Sequence, residues 1–143
     1  MYISMNIDNH MNRDNLNISS IETFLYDSFN NVVSKSTFVG DKLPDKTTIP
    51  SDCKDLVLID IPNGIRDFEA YGQGTALIYL CARPMESGKK SVSVLAEMEK
   101  SLNEAISMSV SDRYCISRRL TYTGYSNDID WHFNAVELSV LVL

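Results

Sequence analysis

The chain has 143 residues, 44% of them hydrophobic, and carries 13 Lys and Arg against 19 Asp and Glu. This length suits a single domain with a sizeable core, and the apolar fraction argues against wholesale disorder. The formal net charge of −6 disfavours a general nucleic-acid binder, which normally presents a basic face. No stretch reaches the roughly 20 apolar residues of a membrane span, so we expect no membrane partner.

The N-terminal segment and the first helix can be told apart by composition and periodicity. Residues 1–18 are rich in Asn and predict a flexible arm, unless a partner orders it. The first helix is predicted to begin at a capping box, in which the Ser19 hydroxyl accepts a hydrogen bond from a backbone amide and Glu22 reaches back to the start of the helix. Apolar residues follow at helical spacing over residues 21–33. Gly40 is expected to end this helix.

Two apolar runs in the middle of the chain predict strands. Residues 41–54 hold prolines and small polar residues and predict a long surface loop. The strand of residues 56–61 follows and ends at a Pro-Asn-Gly turn. Residues 76–82 are apolar at both alternating positions, which predicts a central strand covered on both faces.

The second half of the chain predicts a helix and then a hairpin. After a polar turn at residues 83–90, apolar residues at helical spacing up to Ile106 predict a helix that covers the sheet. Residues 114–122 alternate as a half-buried strand, and a polar loop leads to the last strand, residues 131–143. In that strand the apolar positions change from odd to even numbers, which predicts a bulge or a change of neighbouring strand. Its apolar end predicts a strand that is paired, or an edge that another subunit covers.

These elements predict a single α+β domain over residues 19–143. We expect a mainly antiparallel sheet of about four to five strands with two helices, the N-terminal one and one that covers the sheet. Cys53, Cys81 and Cys115 form no Cys-x-x-Cys pair, so a zinc or redox site is not expected. Cys81 and Cys115 lie in strand patterns typical of small core residues. Free thiols indicate a reducing compartment.

Two glycine motifs resemble ligand-binding loops but lack what those loops require. Gly88 and Lys89 lie between a strand and a helix, as in a phosphate-binding loop, but Arg83 stands where its first glycine is needed. Gly72 and Gly74 precede a strand instead of following one, which is the wrong order for a dinucleotide site. We therefore expect no cofactor and no cofactor-binding residues.

The titratable residues likewise give no complete site. Asp128 and Asp130 supply too few oxygens for a calcium or magnesium ion. His10 and His132 have no nucleophile in a strand-to-helix elbow beside them. We expect no catalytic residues and no metal ligands, and hence no enzyme.

Two features of the charged residues leave alternatives open. Three acids straddle a turn between strands, as in some metal-dependent nucleases, although no lysine follows on the next strand. These acids are Asp60, Asp67 and Glu69. Arg113, Arg118 and Arg119 lie close together and predict an ion-paired or solvated strand edge, with phosphate contact as the alternative.

Two segments and the order of elements carry a family resemblance. Residues 67–74, Asp-Phe-Glu-Ala-Tyr-Gly-Gln-Gly, lead into the central strand. Residues 87–92, Ser-Gly-Lys-Lys-Ser-Val, precede the helix that holds Leu95, Met98 and Leu102. With this pattern the predicted domain resembles the tail terminator (tail completion) proteins of tailed bacteriophages.

The resemblance implies a structural virion protein without catalysis. Copies of the chain would close into a ring, a hexamer or a higher oligomer, against other neck, connector and tail-tube proteins at the head-to-tail junction. DNA would pass through only as cargo, which agrees with the acidic average charge. The implied location is the neck or tail of the virion, after assembly in the host cytoplasm. A small nuclease and a stand-alone α+β adaptor protein are the alternatives.

Overall fold

The computed structural model describes residues 16–109 and 111–143. Over this part of the chain it contains two α-helices and six strands. In chain order they are α1 (Ile18–Phe29), β1 (Thr37–Val39), β2 (Asp55–Asp60), β3 (Ile65–Asp67), β4 (Gly72–Ala82), α2 (Val92–Met108), β5 (Tyr114–Ser126) and β6 (Trp131–Val142). The predicted α+β class is confirmed, with slightly more strands than expected, since the short strands β1 and β3 were not predicted.

The strands form one sheet in the order β1-β2-β4-β6-β5, and β3 pairs with β4 beside β2. The β1–β2 pair is parallel and the other pairs are antiparallel. The central position of β4 was predicted from its apolar run. The last strand, β6, is paired along both sides, by β4 and by β5. Of its two predicted roles, the paired one is confirmed.

Both helices lie on one face of the sheet, and together they bury the main core. Ile21, Leu25 and Phe29 of α1 and Leu95 and Leu102 of α2 are almost fully buried in this core. The opposite face, which we call the outer face, has a smaller core at one end only. That core is formed by Leu56, Cys81, Ile129 and Trp131, with Leu43, Ile49, Cys53, Tyr79 and Phe133 packed against it.

These two cores explain the change of apolar phase along β6. Trp131 and Ala135 face the outer side, whereas Val136, Leu138 and Val140 face the helices. The register between β6 and β4 runs without interruption, so the predicted bulge or change of neighbour in β6 is wrong. The buried side chains of β6 lie on the outer face at the start of the strand and on the helix face further along, while the strand itself stays regular. The register shift lies instead in β5, between Arg118 and Leu120.

The ends of α1 differ from those predicted. Asn17 is the N-cap and its side chain accepts a hydrogen bond from the Ser19 amide at 2.8 Å, so the predicted capping box at Ser19 is wrong. The helix ends at Phe29, well before Gly40, because the chain turns at Asn31 with a positive φ of 63°. An Asn tolerates this left-handed conformation better than most residues do.

The predicted N-terminal arm lies mostly outside the described residues, which begin at Leu16. The residues of the arm that are described belong to the domain: Leu16 packs against the main core, and Asn17 and Ile18 cap and begin α1. The loop predicted after residue 122 is also shorter than expected, because β5 continues to Ser126. Neither α1 nor α2 is long and apolar enough to cross a membrane.

Candidate functional site

Strand β5 is a long edge strand, and it is the most exposed regular element described. It has 13 residues and pairs with β6 along one side, and the order of strands leaves its other side at the margin of the sheet. Residues 117–123 are all exposed. An edge strand of this length presents backbone N–H and C=O groups to which another strand can bind.

The outer face of the sheet next to β5 carries exposed apolar side chains. Leu120 is 55% exposed and Tyr122 is 42% exposed. Leu77 and Tyr79 of β4 are aligned with Leu120 and Tyr122, with one residue of β6 between each pair, and both are half-buried. Burial of the phenol, followed by its hydrogen bond with Tyr122, raises the pKa of Tyr79 to about 12. The Tyr79 phenol is therefore neutral at physiological pH, and its ring adds apolar surface to this face.

Phe133 and Gly124 fix the packing of this face near the end of the β5–β6 hairpin. A Cβ built on Gly124 would lie 2.5 Å from the Cζ atom of Phe133, so the ring covers the glycine backbone closely. The same ring packs edge-on against Tyr79, with centroids 5.4 Å apart. Close approach of this kind explains the glycine in the middle of a strand.

The arginines predicted as a strand edge have different roles. Arg118 donates to Glu99 Oε1 at 2.9 Å and to Asn103 Oδ1 at 2.6 Å, so it joins β5 to α2. Arg113 and Arg119 are exposed. The ion-paired interpretation is thus correct for Arg118, whose planar fork of donors is occupied by protein acceptors and not by a phosphate.

An acidic groove of about 370 Å³ lies at the hairpin end of the outer face. Asp41, Asp60 and Asp128 line it together with Lys42 and Tyr125. Burial, with a smaller contribution from the Asp41 carboxylate, raises the pKa of Asp60. The excess of carboxylates disfavours a phosphate ligand at this end of the face.

The three acids of the nuclease alternative are not brought together. Asp60 is opposite Leu77 in β4, whereas Asp67 is opposite Gly72. Five residues along a strand separate these positions, which is about 17 Å. Glu69 lies in the β3–β4 turn, and its amide donates to Asp67 Oδ1 at 2.8 Å. Across residues 16–109 and 111–143, no three His, Cys, Asp or Glu side chains are grouped to hold a metal ion.

The polar turn before α2 attaches the helix to the sheet. Gly88 has a positive φ of 82°, and its amide donates to the Met85 carbonyl at 2.8 Å. Lys90 donates to Thr123 of β5 at 2.6 Å, and the Ser91 hydroxyl donates to the Arg83 carbonyl at 2.7 Å. Lys90 and Ser91, which follow the Gly88-Lys89 pair of the motif that resembles a phosphate loop, thus both bind groups of the protein.

The remaining candidate residues are placed as follows. Asp130 forms an ion pair with Lys46, which joins the hairpin tip to the loop before β2. His132 is half-buried in β6 and contacts Tyr125 edge-on, whereas His10 lies outside the described residues. Burial raises the pKa of the Cys81 thiol to about 12. Cys115 is exposed, so its predicted core position is wrong.

Sequence reasoning missed that β5 is the exposed edge, because its alternation resembles that of a half-buried strand. The signal that could have found it is that residues 117–123 are all polar or charged apart from Leu120 and Tyr122. No protein-family profile matches the chain, and a search of curated proteins finds no significant match. The candidate site therefore rests on geometry alone.

Proposed function

We propose that the protein is a structural subunit that assembles with copies of itself into a ring at the head-to-tail junction of a tailed bacteriophage. It acts there without catalysis. The observation that carries the proposal is the long edge strand β5 beside the exposed Leu120 and Tyr122 of the outer face. The resemblance to tail terminator proteins supplies the class of assembly.

The proposed contact combines two kinds of interaction. Backbone groups at the β5 margin give directional hydrogen bonds. Leu120 and Tyr122 supply apolar surface that becomes buried on association. Exposed apolar groups that lie next to an unpaired edge are also an aggregation hazard unless a partner covers them. A regular neighbour in a ring removes this hazard.

The charge of the molecule agrees with a channel through which DNA slides. The net charge of −6 gives little attraction for the phosphate backbone, whereas tight binding requires many Lys and Arg contacts. A ring built from such subunits lets DNA pass as cargo. Other neck, connector and tail-tube proteins are the proposed partners above and below it.

The stand-alone adaptor protein is the second candidate, because the same exposed surface could bind one different partner. The two functions differ in symmetry. An adaptor forms one binary complex, whereas a ring subunit associates with itself through a contact that repeats by rotation. Genes for portal, tail-tube or tape-measure proteins beside this one would favour the ring.

The proposed surface is tested by replacing its two apolar side chains with charges. We expect the double variant Leu120→Lys and Tyr122→Lys, called the double-lysine variant, to remain folded but to lose self-association. Size-exclusion chromatography with light scattering measures the mass, and circular dichroism checks the fold. The control variant carries Val92→Lys and Met108→Lys, which replace exposed apolar residues of α2 on the other side of the molecule.

The outcome separates the candidates. Assembly lost in the double-lysine variant and kept in the control supports the ring through β5. Equal assembly of both variants contradicts this surface as the contact between copies.

A further inference from the structure

The sheet has a second margin, formed by β1 at the end opposite to β5. The strand order β1-β2-β4-β6-β5 places these two strands at its two ends. Within residues 16–109 and 111–143, β1 pairs with β2 and β5 pairs with β6. Phe38 and Val39 of β1 are exposed, so both margins present apolar side chains. Contact between two different surfaces of the same chain can close into a ring.

The free backbone groups at the β1 margin belong to Thr37 and Val39. The Ser36 carbonyl and the Gly40 amide both bond to backbone groups of β2, at 2.8 and 2.9 Å. Backbone groups of successive residues in a strand point to opposite sides, so the even-numbered residues of β1 point to β2. The N–H and C=O groups of Thr37 and Val39 therefore point away from the sheet.

The free backbone groups at the β5 margin, beyond the register shift, belong to Thr121 and Thr123. The amide of Leu143, the residue after β6, donates to the Arg113 carbonyl at 2.7 Å, so the odd-numbered residues of β6 point to β5. Beyond the register shift their partners are even-numbered residues of β5, such as Tyr122. The backbone groups of Thr121 and Thr123 consequently point outward.

The two margins match in direction and in face. β1 runs parallel to β2, and the three antiparallel pairs that follow leave β5 opposite in direction to β1. Rotation about an axis roughly along the strands preserves these directions, so β5 of one copy meets β1 of the next in antiparallel fashion. Phe38 is in register with Leu58 and through it with Tyr79, so it lies on the outer face. Leu120 and Tyr122 lie on the same face.

Two charged residues beside the margins select one register. Asp41 follows β1, and Arg119 lies at the register shift of β5. Both are exposed, and within the described part of the chain neither side chain has a hydrogen bond or an ion pair. The Asp41 carboxylate also lies close enough to Asp60 to disfavour its charged form, so a cation brought beside Asp41 is stabilising.

We propose that residues 37–41 of one copy pair antiparallel with residues 119–123 of the next, which places the free aspartate opposite the free arginine. In this register the outward-pointing backbone groups of the two strands face each other, and Phe38 lies beside Tyr122 on the outer face. The pairing needs only β1 and its flank, and it covers the part of β5 just beyond the register shift. This inference rests on the proposed ring and names its contact.

Crosslinking between two separately prepared proteins tests the contact. One protein carries Phe38→Cys and the other Tyr122→Cys, each with a different affinity tag and with Cys53→Ser and Cys115→Ser. In the proposed register these positions form a non-hydrogen-bonded pair with Cα atoms about 4.5 Å apart, within reach of a disulfide. After mixing and mild oxidation, we expect a disulfide-linked dimer that contains both tags. The matched control replaces Tyr122→Cys by Ser117→Cys, which is exposed on the same strand but roughly 17 Å away, and should give no such dimer.

Charge reversal tests the register without a crosslink. Arg119→Asp should raise the concentration needed for assembly by about tenfold or more, because like charges then face each other. Combining it with Asp41→Arg should restore assembly. Arg113→Asp is the control, since this exposed residue gives the same change of net charge away from the contact. Light scattering over a range of concentration measures assembly, and equal weakening by Arg119→Asp and Arg113→Asp would contradict the register.

The outcomes keep this inference distinct from the proposed function. Rings that form without a crosslink between the Phe38→Cys and Tyr122→Cys proteins, or with equal crosslinking of the Ser117→Cys control, overturn the contact and leave the ring in place. A disulfide-linked dimer of the Tyr122→Cys protein with itself indicates that β5 pairs with β5, and also overturns the contact. An unmodified chain that stays monomeric overturns the proposed function itself.

Discussion

Arg118 and Arg119 are neighbours in sequence but differ in what they contact. Arg118 is bound by Glu99 and Asn103 of α2, and the side chains of its ion pair are about one third exposed. We expect Arg118→Ala to lower the free energy of unfolding by about 1 kcal/mol, a typical value for a partly exposed pair with good geometry. Arg119→Ala, whose side chain is exposed, is the control and should change it little. Equal effects in urea denaturation would show that Arg118 does not hold α2 to the sheet.

Gly124 tests the packing of the outer face at the scale of one methyl group. A Cβ at this position meets the Phe133 ring, so Gly124→Ala should destabilise the protein by about 1–3 kcal/mol through overpacking. In a protein that already carries Phe133→Ala, Gly124→Ala should lower the free energy of unfolding much less, because the ring that the new methyl group would meet is absent. Thermal unfolding of the four proteins in this cycle measures the coupling. Costs that simply add would be the contrary result.

At the scale of elements, β6 is the strand that the rest of the sheet depends on. Val140 and Val142 are buried, and the end of β6 pairs with both β4 and β5. Deleting residues 140–143 should lower the free energy of unfolding by roughly 3–6 kcal/mol, since each buried Val contributes about 1.5–3 kcal/mol. Most domains have only about 5–15 kcal/mol in total, so this deletion should remove a large share of the stability and lower the urea midpoint of unfolding, followed by circular dichroism. Deleting Leu143 alone, which is 47% exposed, is the control, and equal stability of the two deletion variants would contradict this role.

The elements also show where sequence patterns were sufficient. The apolar run of β4 and the helical stripe of α2 predicted both elements because each buries one unbroken set of side chains. The three-residue strand β1 could not be predicted, because Thr37–Val39 is short and largely exposed and pairs in parallel with β2, a partner 20 residues away in the sequence. Similarly, the phase change in β6 reflects two cores on opposite faces, and periodicity along one strand cannot tell this from a bulge.

At the scale of the whole molecule, the fold leaves the two faces of the sheet unequal. Both helices cover one face, while the outer face has a core at one end and exposed apolar groups near β5. The sequence predicted the fold class from local patterns, but it did not predict this surface, because exposure depends on the order of strands in the sheet. The acids at Asp60 and Asp67 show the same limit, since pairing with different parts of β4 keeps them apart.

We propose that copies of this chain close into a ring. Native mass spectrometry of the unmodified protein over a wide range of concentration tests it most directly. The account predicts one discrete species whose mass is a fixed multiple of the 16.1 kDa protomer, a hexamer or higher, with rotational symmetry in negative-stain images. A chain that remains monomeric at high concentration, alone and with candidate tail proteins, would contradict the account.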